Sequence, residues 1–321
     1  MLLRDVIDEA KANAAKAAAL DDPVAEGEAL LRAGRVLGDI GRTYEGEQAI
    51  ARSIACFERA GVGSSEMAFV TALTFTWQGP RPVAEDIEKG VRGLEVADEG
   101  SPVAAFHLIG LAVSRAMMGD VGEARALLGR GAAILQDLGM TLELAATAGL
   151  YGAVVEMLVG DLEAAEVAIR TSYETLKSKG EKARLSSRAA LLARIAYQLG
   201  RFDEAMDLAD EADAVSALDD MEPQIWLRGV RAKVHARRGH FEVAEREARE
   251  NARLAEETDW PGYTGAAWTD LAEVLHLAGR LHDAATAAGK AEEFFKMKGD
   301  LVSLGRARAF REEIEAVSTE G

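Results

Sequence analysis

The stretch "QLGRFDEA", residues 198–205, decides the architecture of this chain. Gly200 stands two residues before an aromatic, Phe202, and five before Ala205. The same grammar, glycine-x-apolar-x-x-alanine, returns as "GDVGEA" at Gly119, "GDLEAA" at Gly160, "GHFEVA" at Gly239 and "GRLHDA" at Gly279. Two looser copies lie upstream, at Gly79 ("GPRPVA") and at Gly41 ("GRTYEGEQA", with an insertion). From Gly41 to Gly279 the copies follow one another at a nearly constant interval of about 40 residues. A fixed period of about 20–50 residues is the sign of a solenoid, in which each supersecondary unit buries its apolar face only against its neighbours.

A second glycine series falls halfway between. Gly61, Gly100, Gly139, Gly180 and Gly299 each lie roughly 20 residues after a member of the first. Glycine takes the left-handed conformation that closes a helix at no steric cost. A break at every half period therefore makes one helix pair per period. Pro23, Pro82, Pro102, Pro223 and Pro261 fall near the helix starts this scheme sets, where proline is tolerated. In the opening stretch, Gly200 ends one helix and Phe202 fills the corner. Asp203 and Glu204 meet the positive end of the next helix dipole, and Ala205 stays small where the two helices cross.

The expected fold is an all-α, right-handed α-solenoid of about seven helix hairpins, each ~40 residues long. An N-terminal helix occupies 1–22, the hairpins 23–299, and a C-terminal capping helix and tail 300–321, with no linker that splits the array. Composition agrees: aromatics are 6% of 321 residues, so small residues between helices make the core. The formal charge of −17 disfavours phosphate backbones, so no nucleic-acid partner is expected. The lone Cys56 reads as a small buried hydrophobe. No run of about 18 apolar residues is free of charge, and Arg4, Asp5, Asp8 and Glu9 occupy the region a signal peptide keeps apolar. The expectation is a cytoplasmic protein with no membrane partner.

The best single copy, "WTDLAEVLHLAGRLHDA" at 268–284, resembles the tetratricopeptide (TPR) repeat. Trp268, Leu271 and Ala272 stand at the W-x-x-L-[GA] positions, and Gly279, Leu281 and Ala284 at the turn and second helix. The period is longer than the roughly 34 residues usual in that family. Most copies also lack the tryptophan. Segments such as "LRAGRVLGDIGRTYEGEQAI" and "VRAKVHARRGHFEVAEREARE" resemble the C-terminal TPR region of bacterial multidomain signalling proteins. That likeness implies an array attached to an ATPase, and often to a nucleotide-cyclase or DNA-binding domain. No G-x-x-x-x-G-K-[ST] loop is present here, so the activity of such relatives does not carry over.

Catalytic patterns are absent from the sequence. The five histidines form no H-E-x-x-H or H-x-x-x-H pair, one cysteine builds no zinc site, and no nucleophile elbow occurs. The nine acids of "FDEAMDLADEADAVSALDDME" (202–222) read as a solvated outer face. No enzyme, cofactor or metal is expected.

In the TPR register the first helix of each pair lines the concave face. Those positions hold Phe69, Leu73 and Trp77, then Phe106, Ile109, Val113 and Met117, then Leu150, Val154 and Met157. Later repeats place Arg194, Tyr197, Trp226, Lys233 and Arg237 there. The expected ligand groove is Trp77, Phe106, Arg194, Tyr197, Trp226, Lys233 and Arg237, with the cations free to grip a carboxylate or phosphate and the aromatics giving flat contact area. In a tight superhelix the early apolar set becomes core instead. The expected function is a non-enzymatic scaffold that binds a protein or peptide segment in this groove. The alternative is a sensor array for a small ligand, such as an organic anion.

Overall fold

The computed structural model describes residues 2–61, 77–182 and 184–320. Among the described residues there are fifteen α-helices and no strand. They are α1 (Leu3–Ala19), α2 (Pro23–Asp39), α3 (Thr43–Ala60), α4 (Val83–Val96), α5 (Pro102–Met117), α6 (Val121–Asp137) and α7 (Thr141–Val159). Then follow α8 (Leu162–Ser178), α9 (Leu185–Gln198), α10 (Phe202–Val215), α11 (Met221–Arg237), α12 (Phe241–Glu256), α13 (Pro261–Leu277), α14 (Leu281–Lys298) and α15 (Leu301–Glu320). Consecutive helices pack as antiparallel hairpins, α2 on α3, α5 on α6, and so on to α13 on α14. Phe69 and Leu73 of the expected concave stripe lie outside the described residues.

The punctuation works as the spacing predicts. Gly200 takes φ 79°, and ten further glycines of the two series, from Gly41 to Gly299, share the left-handed conformation. Pro23, Pro102 and Pro261 open α2, α5 and α13 at the first position, and Asp22 and Ser101 cap the first two of these. Phe202 begins α10 with its ring against Tyr197, and Ala205 is fully buried.

The two helices of each hairpin do different work. The second helices α6, α8, α10 and α12 bury one stripe each. The first helices α5, α9 and α11 are buried almost all round, because they have neighbours on every side. Ile109 and Val113, expected on a concave surface, are therefore core. Cys56 is buried on α3 against Ala14 and Leu30. Helix α7 alone among the described residues is long and apolar enough to cross a membrane by composition. It is packed against α5, α6 and α8, and its apolar side chains Leu150, Ala153 and Val155 are core. A π-helical segment, Leu144–Ala148, interrupts α7 and leaves two carbonyls available. Ala145 O accepts from Ser172 Oγ at 2.6 Å, and Ala146 O accepts from the Arg188 guanidinium.

The superhelix closes on itself. The Asp219 carboxylate accepts from the backbone N–H groups of Leu3 and Arg4, 216 and 215 residues away, at 2.8 and 3.0 Å. One repeat later, Asp259 accepts from the N–H groups of Thr43 and Tyr44 at 3.0 and 2.7 Å, and Trp260 Nε1 donates to Thr43 Oγ1 at 2.6 Å. A further repeat on, Lys298 Nζ donates to Gly79 O, Arg81 O and Asp86 Oδ2 at 3.0, 2.7 and 2.8 Å. These rungs join loops separated by 212 to 219 residues, between five and six repeats. The second turn of the superhelix is thus seated on the first, and the first turn's helices α1 and α3 are capped by acids of the second.

Replacing Asp259 by Ala strips two N–H groups at the start of α3 of their acceptor. The expected loss is about 1 kcal/mol in urea unfolding. Faster hydrogen exchange at Thr43 and Tyr44 would distinguish a broken rung from a local change at 259.

Candidate functional site

Closure shapes a half-open cavity of about 590 Å³. Its floor is a layer of aromatic rings. Tyr263 on α13 stacks on Trp226 of α11 (5.3 Å, 20°) and on Trp77 (5.7 Å, 28°), while Trp260 packs against Tyr263 at 4.9 Å. Met117, Val154, Met157 and Leu191 extend the apolar wall along α5, α7 and α9. The opposite wall is α15, through Ser303, Arg306, Ala307 and Phe310. Arg306 fixes that wall in place by donating to Met157 O and Leu158 O at the end of α7, at 3.0 and 2.8 Å. The expected capping helix is therefore also a side of the cavity, with Leu304, Ala307 and Ile314 buried.

A compact charge layer lies at the cavity edge. Asp270 on α13 accepts from Arg194 Nη1 at 2.7 Å and pairs with Lys233 Nζ at 2.8 Å. Glu273, one turn on, accepts from Tyr197 Oη and from Arg237 Nη2, the latter at 3.0 Å. Lys233 Nζ sits 4.4 Å over the Tyr197 ring. Gly229 makes room for this layer: a Cβ there would stand 2.3 Å from Asp270 Oδ2. Burial pushes the Asp270 carboxyl up, but Arg194 and Lys233 outweigh it and hold Asp270 below the usual aspartate range. Tyr197 is pushed up by burial and by the Glu273 charge.

Of the seven residues expected in a groove, Trp77, Arg194, Trp226 and Arg237 line this cavity. Tyr197 and Lys233 lie behind its wall, buried in the charge layer. Phe106 is half-buried on α5 and is not part of the wall. The structure also corrects the expectation that the cations are free. Arg194, Lys233 and Arg237 already have carboxylate partners. Sequence reading missed Asp270, Glu273, Tyr263 and the α15 wall. One signal for Asp270 was available, an acid set directly beside the packing residues Leu271 and Ala272 in "WTDLAEV".

Beyond Tyr263 lies a second polar cluster. Glu222 accepts from Tyr263 Oη at 2.6 Å and from Gln78 Nε2 at 3.0 Å. Asp39 at the end of α2, Asp220 at the start of α11, and Arg35, Arg184 and Arg188 share its field. Burial, then the Glu222 charge, raises Asp39 to about 7; burial, then the Asp39 and Glu222 charges, raises Asp220 to about 8. Among the described residues no three His, Cys, Asp or Glu side chains converge as metal ligands.

The fold has known counterparts. A Rap protein crystallised with competence and sporulation factor aligns over 99% of both chains, with a TM-score of 0.56 and 13% identity. NprR in complex with its cognate peptide NprX aligns over 83% of this chain and 81% of its own, with a TM-score of 0.59 and 14% identity. The apo form of the quorum sensor NprR from B. thuringiensis gives 0.51 at 14% identity, covering 92% of this chain and 82% of its own. The chain has the TPR-type helical repeat fold. The likeness is to that fold alone and gives no support to the ATPase-linked parent that the sequence resemblance implied. No family model matches the sequence, and no curated protein does.

Two outcomes follow from the charges. Asp270→Ala leaves Lys233 and Arg194 buried without this counter-charge, and about 3–5 kcal/mol of stability is expected to be lost in chemical denaturation. Asp39 and Asp220 act in the opposite sense with pH. Their folded pKa values, about 7 and about 8, lie above the ordinary aspartate value of about 3.9, so the folded state holds protons that the unfolded chain releases. Their contribution to stability is therefore complete below pH about 4 and is lost as pH rises to about 8. Unfolding midpoints measured from pH 5 to 8.5 should fall with pH, and the fall should flatten in the double variant Asp39→Asn, Asp220→Asn.

Proposed function

We propose that this protein is a non-enzymatic binding module that takes a short apolar peptide segment of a partner into the half-open cavity. The observation that carries the reading is the stacked layer of Trp77, Tyr263 and Trp226, which lines one half-open cavity together with α15. The rings are nearly buried on one another, so their layer is rigid and the apolar side chains around it are held in a preorganised shape, which is what an anchor pocket needs. The neighbouring charges are paired internally, so the cavity selects by shape and apolar contact rather than by net charge. Two proteins of the same fold, the Rap protein and NprR, were crystallised with peptide or factor partners, and this supports the same class of ligand here.

The cavity volume of about 590 Å³ also favours a second reading, an apolar small molecule, since such sites span about 300–1,000 Å³. One experiment separates the two. An array of apolar hexa- to decapeptides and a library of small apolar compounds would be screened by tryptophan fluorescence and thermal shift. Peptide binding that weakens about tenfold or more in Trp226→Ala, with circular dichroism unchanged, is the expected result. Stabilisation by small compounds with no peptide bound at ~100 μM would overturn the peptide reading.

A further inference from the structure

Helix α15 has two lined faces. Ser303, Arg306 and Phe310 border the aromatic cavity, while Leu304, Arg308 and Arg311 border a second half-open groove, about 400 Å³, against α14. The α14 side of this groove supplies Gly289, Lys290, Glu292, Glu293 and Lys296. The groove shares no lining residue with the cavity. Four cations therefore gather at one place on a chain whose formal charge is −17.

The two arginines are held in a defined way. They lie three apart on α15 and so share one face. Between the helices stands Glu292, whose side chain is only 13% exposed. Arg308 Nε donates to its Oε2 at 3.4 Å, and Arg311 Nε makes an ion contact with its Oε1 at 2.9 Å. The second acid near Arg311, Glu315, also approaches Nε, at 3.8 Å. One carboxylate thus fixes both guanidinium groups by their inner nitrogen. Among the described residues no Nη atom of either arginine donates a hydrogen bond. Arg311 Nη1 lies over Gly289, where a Cβ would stand 3.7 Å from it, so no α14 side chain takes the space beneath that fork. Lys290 and Lys296 are exposed and form no ion pair among the described residues; Lys290 Nζ stands 5.7 Å from the Trp268 ring centre.

We propose that this groove binds a small soluble phosphate monoester, its phosphoryl oxygens on the Nη ends of Arg308 and Arg311, with Lys290 and Lys296 beside them. Paired guanidinium forks match the oxygens of a phosphoryl group, and each charge-assisted bond is stronger than a neutral one. The four cations outnumber Glu292 and Glu293 by two, a surplus that a dianion balances and a single carboxylate does not. The groove exceeds a phosphate ion in size, and Leu304 on its lining gives the organic part of an ester an apolar contact. The rest of the surface narrows the class. A polyanion would have to lie along an acidic molecule, whereas a small ligand sits within the groove, and charges beyond about 10 Å are screened. The site is independent of the peptide reading.

The test is calorimetry and thermal shift on the full chain, with phenyl phosphate as the probe. Phenyl sulfate has the same shape with one charge fewer, and inorganic phosphate lacks the ester group. Near neutral pH phenyl phosphate should bind more tightly than either, by about tenfold or more over the sulfate. Arg308→Gln and Arg311→Gln should each weaken it about tenfold. The two glutamates separate a built clamp from a patch of charge. Glu292→Ala removes a negative charge but releases both forks, so affinity should fall; Glu293→Gln removes one at the rim and should not lower it. Trp226→Ala should leave binding unchanged. No binding of phenyl phosphate at ~5 mM, or equal binding of phenyl sulfate, would overturn the site. Tighter binding by Glu292→Ala, with circular dichroism unchanged, would overturn it too by reducing the clamp to net charge. Inorganic phosphate as tight as phenyl phosphate would overturn the monoester. A phosphoserine peptide that binds where phenyl phosphate does not would overturn the small ligand in favour of a partner segment.

Discussion

The carboxylates of Asp219 and Asp259 cap helices that lie a full superhelical turn away. Each such cap contributes only about 1 kcal/mol, but its geometric consequence is larger. A solenoid whose second turn is pinned to its first at successive repeats has a fixed radius. The inner helices then have no open concave surface to line. They pack on all sides, which is why α5, α9 and α11 carry almost no exposed side chain. What would be a groove in a wider superhelix becomes a narrower, half-open cavity with α15 as one wall.

Burial sets the terms for the inner charges. A buried lysine or arginine without a partner loses several kcal/mol of hydration, more than an isolated surface pair could return. Asp270 resolves this for two cations at once, and Glu273 adds a second acceptor for Arg237 and Tyr197. At Lys298 the same problem is solved with two carbonyls and Asp86, both side chains being fully buried. Asp39 and Asp220 are the contrast. At Asp39 burial and the Glu222 charge outweigh Arg35 and Arg184, at Asp220 burial and two neighbouring acids prevail, and the two hold protons up to about pH 7 and 8.

How far these features can be read from sequence depends on their range along the chain. A left-handed helix end is decided by one residue, so the two interleaved glycine series give the hairpins directly. Cap signals are also local: Asp22 and Ser101 act on the third residue beyond them. Asp259 acts on Thr43 across 216 residues, and nothing near either residue announces it. The charge layer has the same character. Arg194 and Tyr197 were legible as inner-face residues of a first helix, but their partners Asp270 and Glu273 stand 76 residues on, two repeats away. Which repeats meet across the lumen depends on the superhelical radius, and that radius is set by the rungs. The sequence reading therefore reached the fold and four of the cavity residues while mistaking paired cations for free ones.

The pairing decides what the cavity can select. An anion approaching Arg194 or Arg237 competes with the buried Asp270 or the half-buried Glu273, which are already in place, so charge alone gives little net gain. Apolar contact does not meet this competition, because the exposed rim of the ring layer and the apolar side chains beside it carry no charge to displace. On its α7 side, α15 is tied by the exposed Arg306 donating to two carbonyls, each worth a net ~0.5–1.5 kcal/mol. On its other side, Leu304, Ala307 and Ile314 are buried against the preceding helices. The apolar side therefore fixes the position of this wall, and the polar tie only sets its edge.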